Sequence, residues 1–95
     1  DFPQRKTEII RRSEAFIAFP GGTGTLEEIS EVMSLSSLKL TKAPCILYNL
    51  NGYYEPLRLQ LQRMVEAGLS SPERQEGIHF ASDLREIQNI LAENS

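Results

Sequence analysis

One stretch constrains this chain more than any other. An apolar run, Ala15-Phe16-Ile17-Ala18-Phe19, leads into Pro20-Gly21-Gly22-Thr23-Gly24-Thr25, and an amphipathic segment starts at Leu26. A run with no polar face reads as a strand buried on both sides, which is the habit of parallel sheets. The glycines then make a tight turn, and the periodic segment reads as a helix. Strand, glycine turn and helix in direct succession place a helix N-terminus at the carboxyl end of a buried strand. Backbone N–H groups unshielded by any Cβ, together with the positive end of the helix dipole, form an anion site that needs no lysine. Thr23 and Thr25 add hydroxyls, and the acids Glu27 and Glu28 follow in what reads as the first helical turn. Glycine turns also end strands for steric reasons alone, and acids gather in first turns because the dipole favours them. The fixed offsets of proline, glycines, threonines and acid are tighter than either habit requires. They match neither the dinucleotide fingerprint nor the Walker loop.

The rest of the chain alternates helix and strand. Residues 4–14 read as a helix with Ile9 and Ile10 inward. Leu26 to about Leu38 carries the apolar stripe Leu26, Ile29, Val32, Met33 and Leu38. Pro44 opens a strand over residues 45–50, and Asn51-Gly52 makes a turn. Residues 55–67 form a helix with Pro56 in its first turn and Gly68 as its stop, its inward stripe being Leu57, Leu61, Met64 and Val65. Ile78-His79-Phe80-Ala81 is a short strand. Ser82 or Asp83 caps a last helix with the stripe Leu84, Ile87, Ile90 and Leu91. The expected order is αβαβαβα: an α/β, Rossmann-like parallel sheet flanked by helices, with right-handed crossovers. Ligands of such sheets bind beyond the carboxyl ends of the strands, where the 20–25 loop and residues 49–54 belong.

Composition narrows the function classes. The chain has 95 residues, a net charge of −3 and 24% charged residues, so no basic excess calls for nucleic acid. The local cluster Arg5, Lys6, Arg11 and Arg12 is the exception, and for Arg11 and Arg12 a solvated helix face is the plainer reading. The single cysteine, Cys45, lies in an apolar run, which suits a structural thiol in a reducing compartment. No run of eighteen apolar residues or signal segment is present, so neither membrane span nor export is expected. No metal constellation is visible. His79, the one histidine, sits mid-strand and reads as structural.

The motif residues resemble those of the LOG (Lonely Guy) family, cytokinin riboside 5′-monophosphate phosphoribohydrolases long described as possible lysine decarboxylases. Pro20, Gly21, Gly22, Gly24, Thr25 and Glu28 match its P-G-G-x-G-T-x-x-E signature in full. Arg5 and Lys6 match the R-K of its M-x-x-R-K signature, with Phe2 where methionine is usual. Asn51-Gly52-Tyr53-Tyr54-Glu55-Pro56-Leu57 is similar to a third family segment. The resemblance covers roughly residues 1–70. It implies that residues 1–95 form a single partial domain, the C-terminal half of a larger nucleotide-binding domain.

For function, the resemblance implies hydrolysis of the N-glycosidic bond of an N6-substituted adenosine 5′-monophosphate, releasing base and ribose 5-phosphate, without a cofactor. Glu28 and Arg5 are the implied catalytic pair. Gly21, Gly22, Thr23, Gly24, Thr25 and Lys6 are the implied phosphate and nucleotide contacts. Glu27 and Glu31 read as solvated. A cytoplasmic homodimer is the implied state. The alternative is a carrier that holds a phosphorylated ligand, as molybdenum-cofactor carriers do with a similar loop. A carrier needs the loop but no acid–arginine pair. A decarboxylase would need a lysine placed for a pyridoxal phosphate Schiff base, and Lys6, Lys39 and Lys42 offer none in a closed pocket.

Overall fold

A computed structural model of the chain describes residues 9–11 and 15–94. Four strands form one sheet in the order β1 (Ile9–Arg11), β2 (Phe16–Ala18), β3 (Cys45–Tyr48) and β4 (Ile78–Ala81). The last three run parallel, with Phe16 opposite Cys45 and Cys45 opposite Ile78. Helix α1 (Thr23–Ser37) connects β2 to β3. A short 3-10 turn (Leu50–Gly52) and α2 (Glu55–Glu66) connect β3 to β4, and α3 (Leu84–Glu93) closes the chain.

The two faces of the sheet follow the period-2 alternation of the strands. Phe16, Ala18, Cys45 and Leu47 point to one face and are buried with Ile29 and Val32 of α1, with Tyr54 and with Leu57 of α2. Ile46 and Ala81 point to the other face, where Ile87, Ile90 and Leu91 of α3 cover them and Ile17 and Tyr48 join at the edge. Parallel strands buried on both faces account for the apolar runs, as expected.

The first element differs from expectation. Ile9–Arg11 is a strand, not part of a helix, and it pairs antiparallel with β2, Ile10 opposite Ile17. Residues 4–8 and 12–14 of the expected helix lie outside the described residues. The reason is competition for an edge. Without β1, one side of β2 would carry unpaired N–H and C=O groups, and the β-branched pair Ile9-Ile10 suits a strand better than a helix.

Helix α1 differs in its start and its stripe. It begins at Thr23, three residues before Leu26, so Glu27 and Glu28 fall in the second turn and no acid stands in the first. Its buried face is Thr25, Ile29, Val32 and Ser36, whereas Leu26 and Leu38 are exposed. Positions 25, 29, 32 and 36 repeat at helical spacing, and two of them are small hydroxyl residues that an apolar stripe does not reveal. Ser36 in turn explains a glycine across from it, because a Cβ on Gly77 would come within 2.4 Å of its Oγ. Leu84 is likewise exposed at the start of α3.

The helix ends show how locally the chain is specified. Helix α2 stops at Gly68 (φ +78°) with Leu69 N–H donating to Met64 O at 2.8 Å and Gly68 N–H to Val65 O at 3.0 Å, a Schellman stop. Helix α3 starts on Asp83, whose carboxylate accepts from Glu86 N–H at 2.9 Å, while Glu86 Oε1 accepts from Ser82 N–H at 2.6 Å. This reciprocal arrangement satisfies two otherwise orphaned donors. Asp83→Ala is therefore expected to cost about 1 kcal/mol of stability. Chemical denaturation should show the loss as a lower midpoint with an unchanged slope.

Candidate active site

The parallel pairing of β2 and β3 sets their carboxyl ends side by side, so the segments that follow must meet. After β2 the chain runs through Phe19, Pro20 and Gly21 to Gly22, the N-cap of α1. After β3 it runs through Asn49 and the 3-10 turn to Tyr53 and Tyr54. Asn51 (φ 54°) and Gly52 (φ +73°) take left-handed conformations in that turn, which is where asparagine and glycine are tolerated. Asn49 holds the turn: its Oδ1 accepts from Tyr54 N–H at 2.6 Å and its Nδ2 donates to Glu55 Oε1 at 3.4 Å. Arg58 pairs with the same Glu55 and pulls its carboxyl below the usual carboxylate range.

The two segments are bonded to each other. Tyr54 Oη donates to Phe19 O at 2.6 Å, and Tyr53 Oη donates to Gly21 O. Tyr54 is 6% exposed and belongs to the core, whereas Tyr53 is 51% exposed and packs edge-on against it, ring centroids 5.1 Å apart. Phe19 in turn meets Tyr48 edge-on at 5.5 Å. The sequence places residues 49–54 beside the glycine loop, as expected. It does not by itself show that both tyrosine hydroxyls end on loop carbonyls. The signal was the position of Tyr53-Tyr54 just beyond a strand that neighbours the glycine loop.

The glycines are not explained by internal packing. A Cβ on Gly22 or on Gly24 would meet nothing within 4 Å. Neither residue has a positive φ, the only such glycines being Gly52 and Gly68. Within the described structure, therefore, no clash and no backbone conformation requires glycine at 22 or 24. Steric crowding within the described residues does not account for the glycines at 22 and 24. Gly22 caps α1 without a side-chain hydrogen bond, and the first intrahelical bond is Leu26 N–H to Gly22 O at 3.0 Å. The N–H groups of Thr23, Gly24 and Thr25 precede that bond and face the open end of the helix.

The flanking side chains sort by burial. Thr23 is exposed, while Thr25 is 6% exposed and belongs to the inward face of α1. Glu28 is half-buried, one turn beyond Thr25 at the edge of that face, and Glu27 and Glu31 are exposed. Arg5 and Lys6 lie outside the described residues.

The remaining candidates sit elsewhere. Lys39 Nζ donates to Glu76 Oε1 at 2.6 Å and to Glu73 O at 3.0 Å, and Lys42 lines the same cavity of about 380 Å³. That cavity lies at the far end of α1, a helix about 22 Å long at 1.5 Å per residue. His79 lines it too, and burial lowers its pKa, with Glu93 opposing. Among the described residues, no group of three His, Cys, Asp or Glu side chains is arranged to hold a metal, and no helix is long and apolar enough to cross a membrane.

Comparison with known proteins places the chain. A family model described as "Possible lysine decarboxylase" matches residues 1–91. The chain belongs to this family, the LOG family. It is 42% identical, over all 95 residues, to the probable cytokinin riboside 5′-monophosphate phosphoribohydrolase LOGL2 of Oryza sativa subsp. japonica, of which it covers 39%. It is also 42% identical over 93 residues, 98% of the chain, to the cytokinin riboside 5′-monophosphate phosphoribohydrolase LOG3 of Arabidopsis thaliana, covering 43% of that protein. The chain spans about two fifths of the length of these curated relatives.

Cys45 separates a structural thiol from a reactive one. None of its surface is exposed, and burial pushes its pKa up to about 12. A group whose folded pKa is raised binds its proton more tightly in the folded state. Its contribution is intact below the unfolded value, near 9, and is lost as pH rises through the folded one. Cys45 is thus expected to resist thiol alkylation at pH 8 in the folded protein and to react on unfolding, and stability should decline as pH rises above about 9. Labelling at the native rate of a free thiol would contradict this burial.

Proposed function

We propose that the intact protein carrying this chain hydrolyses the N-glycosidic bond of an adenosine 5′-monophosphate, N6-substituted or plain, to the free base and ribose 5-phosphate. The observation that carries this reading is the open space at Gly22 and Gly24. Those two residues are glycine for the sake of a close neighbour, and they stand on a helix end that favours an anion. The names of the relatives supply the substrate class.

The chemistry fits the order of groups along α1. The 5′-phosphate sits on the N–H groups of Gly22 to Thr25, with the Thr23 hydroxyl beside it. Glu28 lies about 6 Å further along the axis than Gly24 at 1.5 Å per residue, which brings its carboxylate beside the sugar. Cleavage of the bond to the base builds positive charge on the ribose, and a carboxylate there stabilises that charge and orients the attacking water. Water supplies the hydroxyl to the anomeric carbon and a proton to the departing base. Arg5 stays charged at any working pH, so its role is to orient the substrate and balance charge, with Lys6 supporting the phosphate. The described lysines give a Schiff-base decarboxylase no foothold near the loop. The same reading takes residues 1–95 as part of one larger nucleotide-binding domain, in a cytoplasmic homodimer.

The deciding assay incubates the intact protein with AMP and N6-substituted AMP analogues and measures free base and ribose 5-phosphate. Tight binding without release of base would make it a carrier. Glu28→Gln keeps the size of the side chain but removes its charge, and the loss should fall on turnover, by about 10²–10³-fold, far more than on binding. Glu27→Gln, about 100° round the helix, should cost little, and the opposite ranking would reassign the acid.

The glycines make a separate prediction about stability. Gly24→Ala places a better helix former in the first turn, with room for its Cβ. It is expected to stabilise the fold by up to about 1 kcal/mol while weakening nucleotide binding. Thermal unfolding and equilibrium binding, measured side by side, check that the two effects have opposite signs.

A further inference from the structure

The geometry points to Tyr53 as the residue that sets the direction of the Gly22 N–H and so positions the phosphate. This assignment rests on the phosphate-cradle reading and names a part of it that lies outside the glycine motif and the Arg5-Lys6 pair.

The peptide between Gly21 and Gly22 is flanked by two residues without side chains. Glycine resists rotation about neither of its backbone angles, so this peptide plane can turn. One orientation offers the Gly22 N–H to a ligand, and the flipped one offers the Gly21 carbonyl, which repels an anion. Tyr53 Oη donates to Gly21 O and chooses between them. In a planar trans peptide the C=O and N–H point in opposite directions, and no described peptide is cis. Holding the Gly21 oxygen on Tyr53 therefore turns the Gly22 N–H away from it. A Cβ built on Gly22 meets nothing within 4 Å, so no described group crowds that side of the residue. The donated hydrogen bond also polarises the amide and strengthens its N–H as a donor.

Tyr54 provides the internal contrast. Its hydroxyl holds Phe19 O at 2.6 Å, but the next residue is Pro20, which has no N–H to aim. That bond fixes where the loop starts, and the buried Tyr54 ring belongs to the core. Tyr53 is half exposed, so its hydroxyl can be removed without opening the core.

The test is Tyr53→Phe in the intact protein, which keeps the ring against Tyr54 and deletes only the donor. Equilibrium binding of inorganic phosphate and of AMP, KM and kcat for AMP, and the unfolding midpoint are measured, with Gly22→Val in parallel. The expected result is a fall in affinity of about 3- to 10-fold, the worth of one hydrogen bond. It should be the same for phosphate as for AMP, be mirrored in KM with a much smaller change in kcat, and come without a lower unfolding midpoint. Wild-type phosphate affinity in Tyr53→Phe, with binding abolished in Gly22→Val, would overturn the role of Tyr53 and leave the cradle standing. A loss confined to kcat, or one accompanied by destabilisation, would also overturn it. If the parent protein binds no phosphate, or Gly22→Val binds as the parent does, the cradle reading itself fails and this assignment with it.

Discussion

The parallel register of β2 and β3 is the constraint on which the site depends. Pairing Phe16 with Cys45 and Ala18 with Leu47 makes the two strands end together. Their following loops then emerge at one place, and the glycine turn meets the Tyr53-Tyr54 turn. A shift of one residue would turn Ile46 out of one cluster and Leu47 out of the other. Both are fully buried, each on its own face, so the register is held from two sides. The same packing that builds the core therefore aligns the two halves of the described site.

Much of this was legible before any coordinates. Strands without a polar face point to the parallel sheet, Gly68 marks a helix end where the structure has it, and of the two cap candidates Ser82 and Asp83 the structure uses Asp83. Two things were not. Ile9–Arg11 was read by periodicity as helical, yet its partner is set by an open sheet edge, which no local pattern reports. The start of α1 was read from its first apolar residue, Leu26, which is exposed. The true inward face begins at Thr25 and ends at Ser36, small polar residues that pack because Gly77 and the sheet come close. Of the candidate site, the glycines and Glu28 stand in one contiguous motif of the sequence. The tyrosine hydroxyls reach across 32 and 35 residues of sequence, a distance that only the fold closes.

Among the described residues, Lys39 is not placed for the chemistry that the family's description as a lysine decarboxylase would need. A Schiff-base lysine works by losing its proton in a dry pocket with the reacting carbon beside it. Lys39 instead sits in an exposed ion pair with Glu76, which holds the Glu76 carboxyl below its usual range. It stands at the exit of α1, at the left-handed position (φ 60°), with Leu40 N–H donating to Leu35 O at 2.9 Å and Lys39 N–H to Ser36 O at 3.0 Å. This is a helix stop. The lysine closes one end of the helix whose other end carries the candidate site.

The start of α3, set beside that of α1, shows what the glycine turn gives up. Helix α3 satisfies its first donors with Asp83 and Glu86, an arrangement worth on the order of 1 kcal/mol. Helix α1 places Gly22 at the equivalent position, with no side-chain bond, and adds Gly24 inside the first turn at a further cost of up to about 1 kcal/mol. Nothing in the fold demands either choice, since both positions have room for a side chain and ordinary backbone angles. The chain caps α3 with side chains but starts both α1 and α2 without a side-chain hydrogen bond, and all three helix starts follow parallel strands at the carboxyl edge of the sheet. The start of α1 differs from the others in its surroundings, a half-buried Glu28 one turn on and two tyrosine hydroxyls holding the carbonyls that lead into it, and it is on these that the proposed anion site rests.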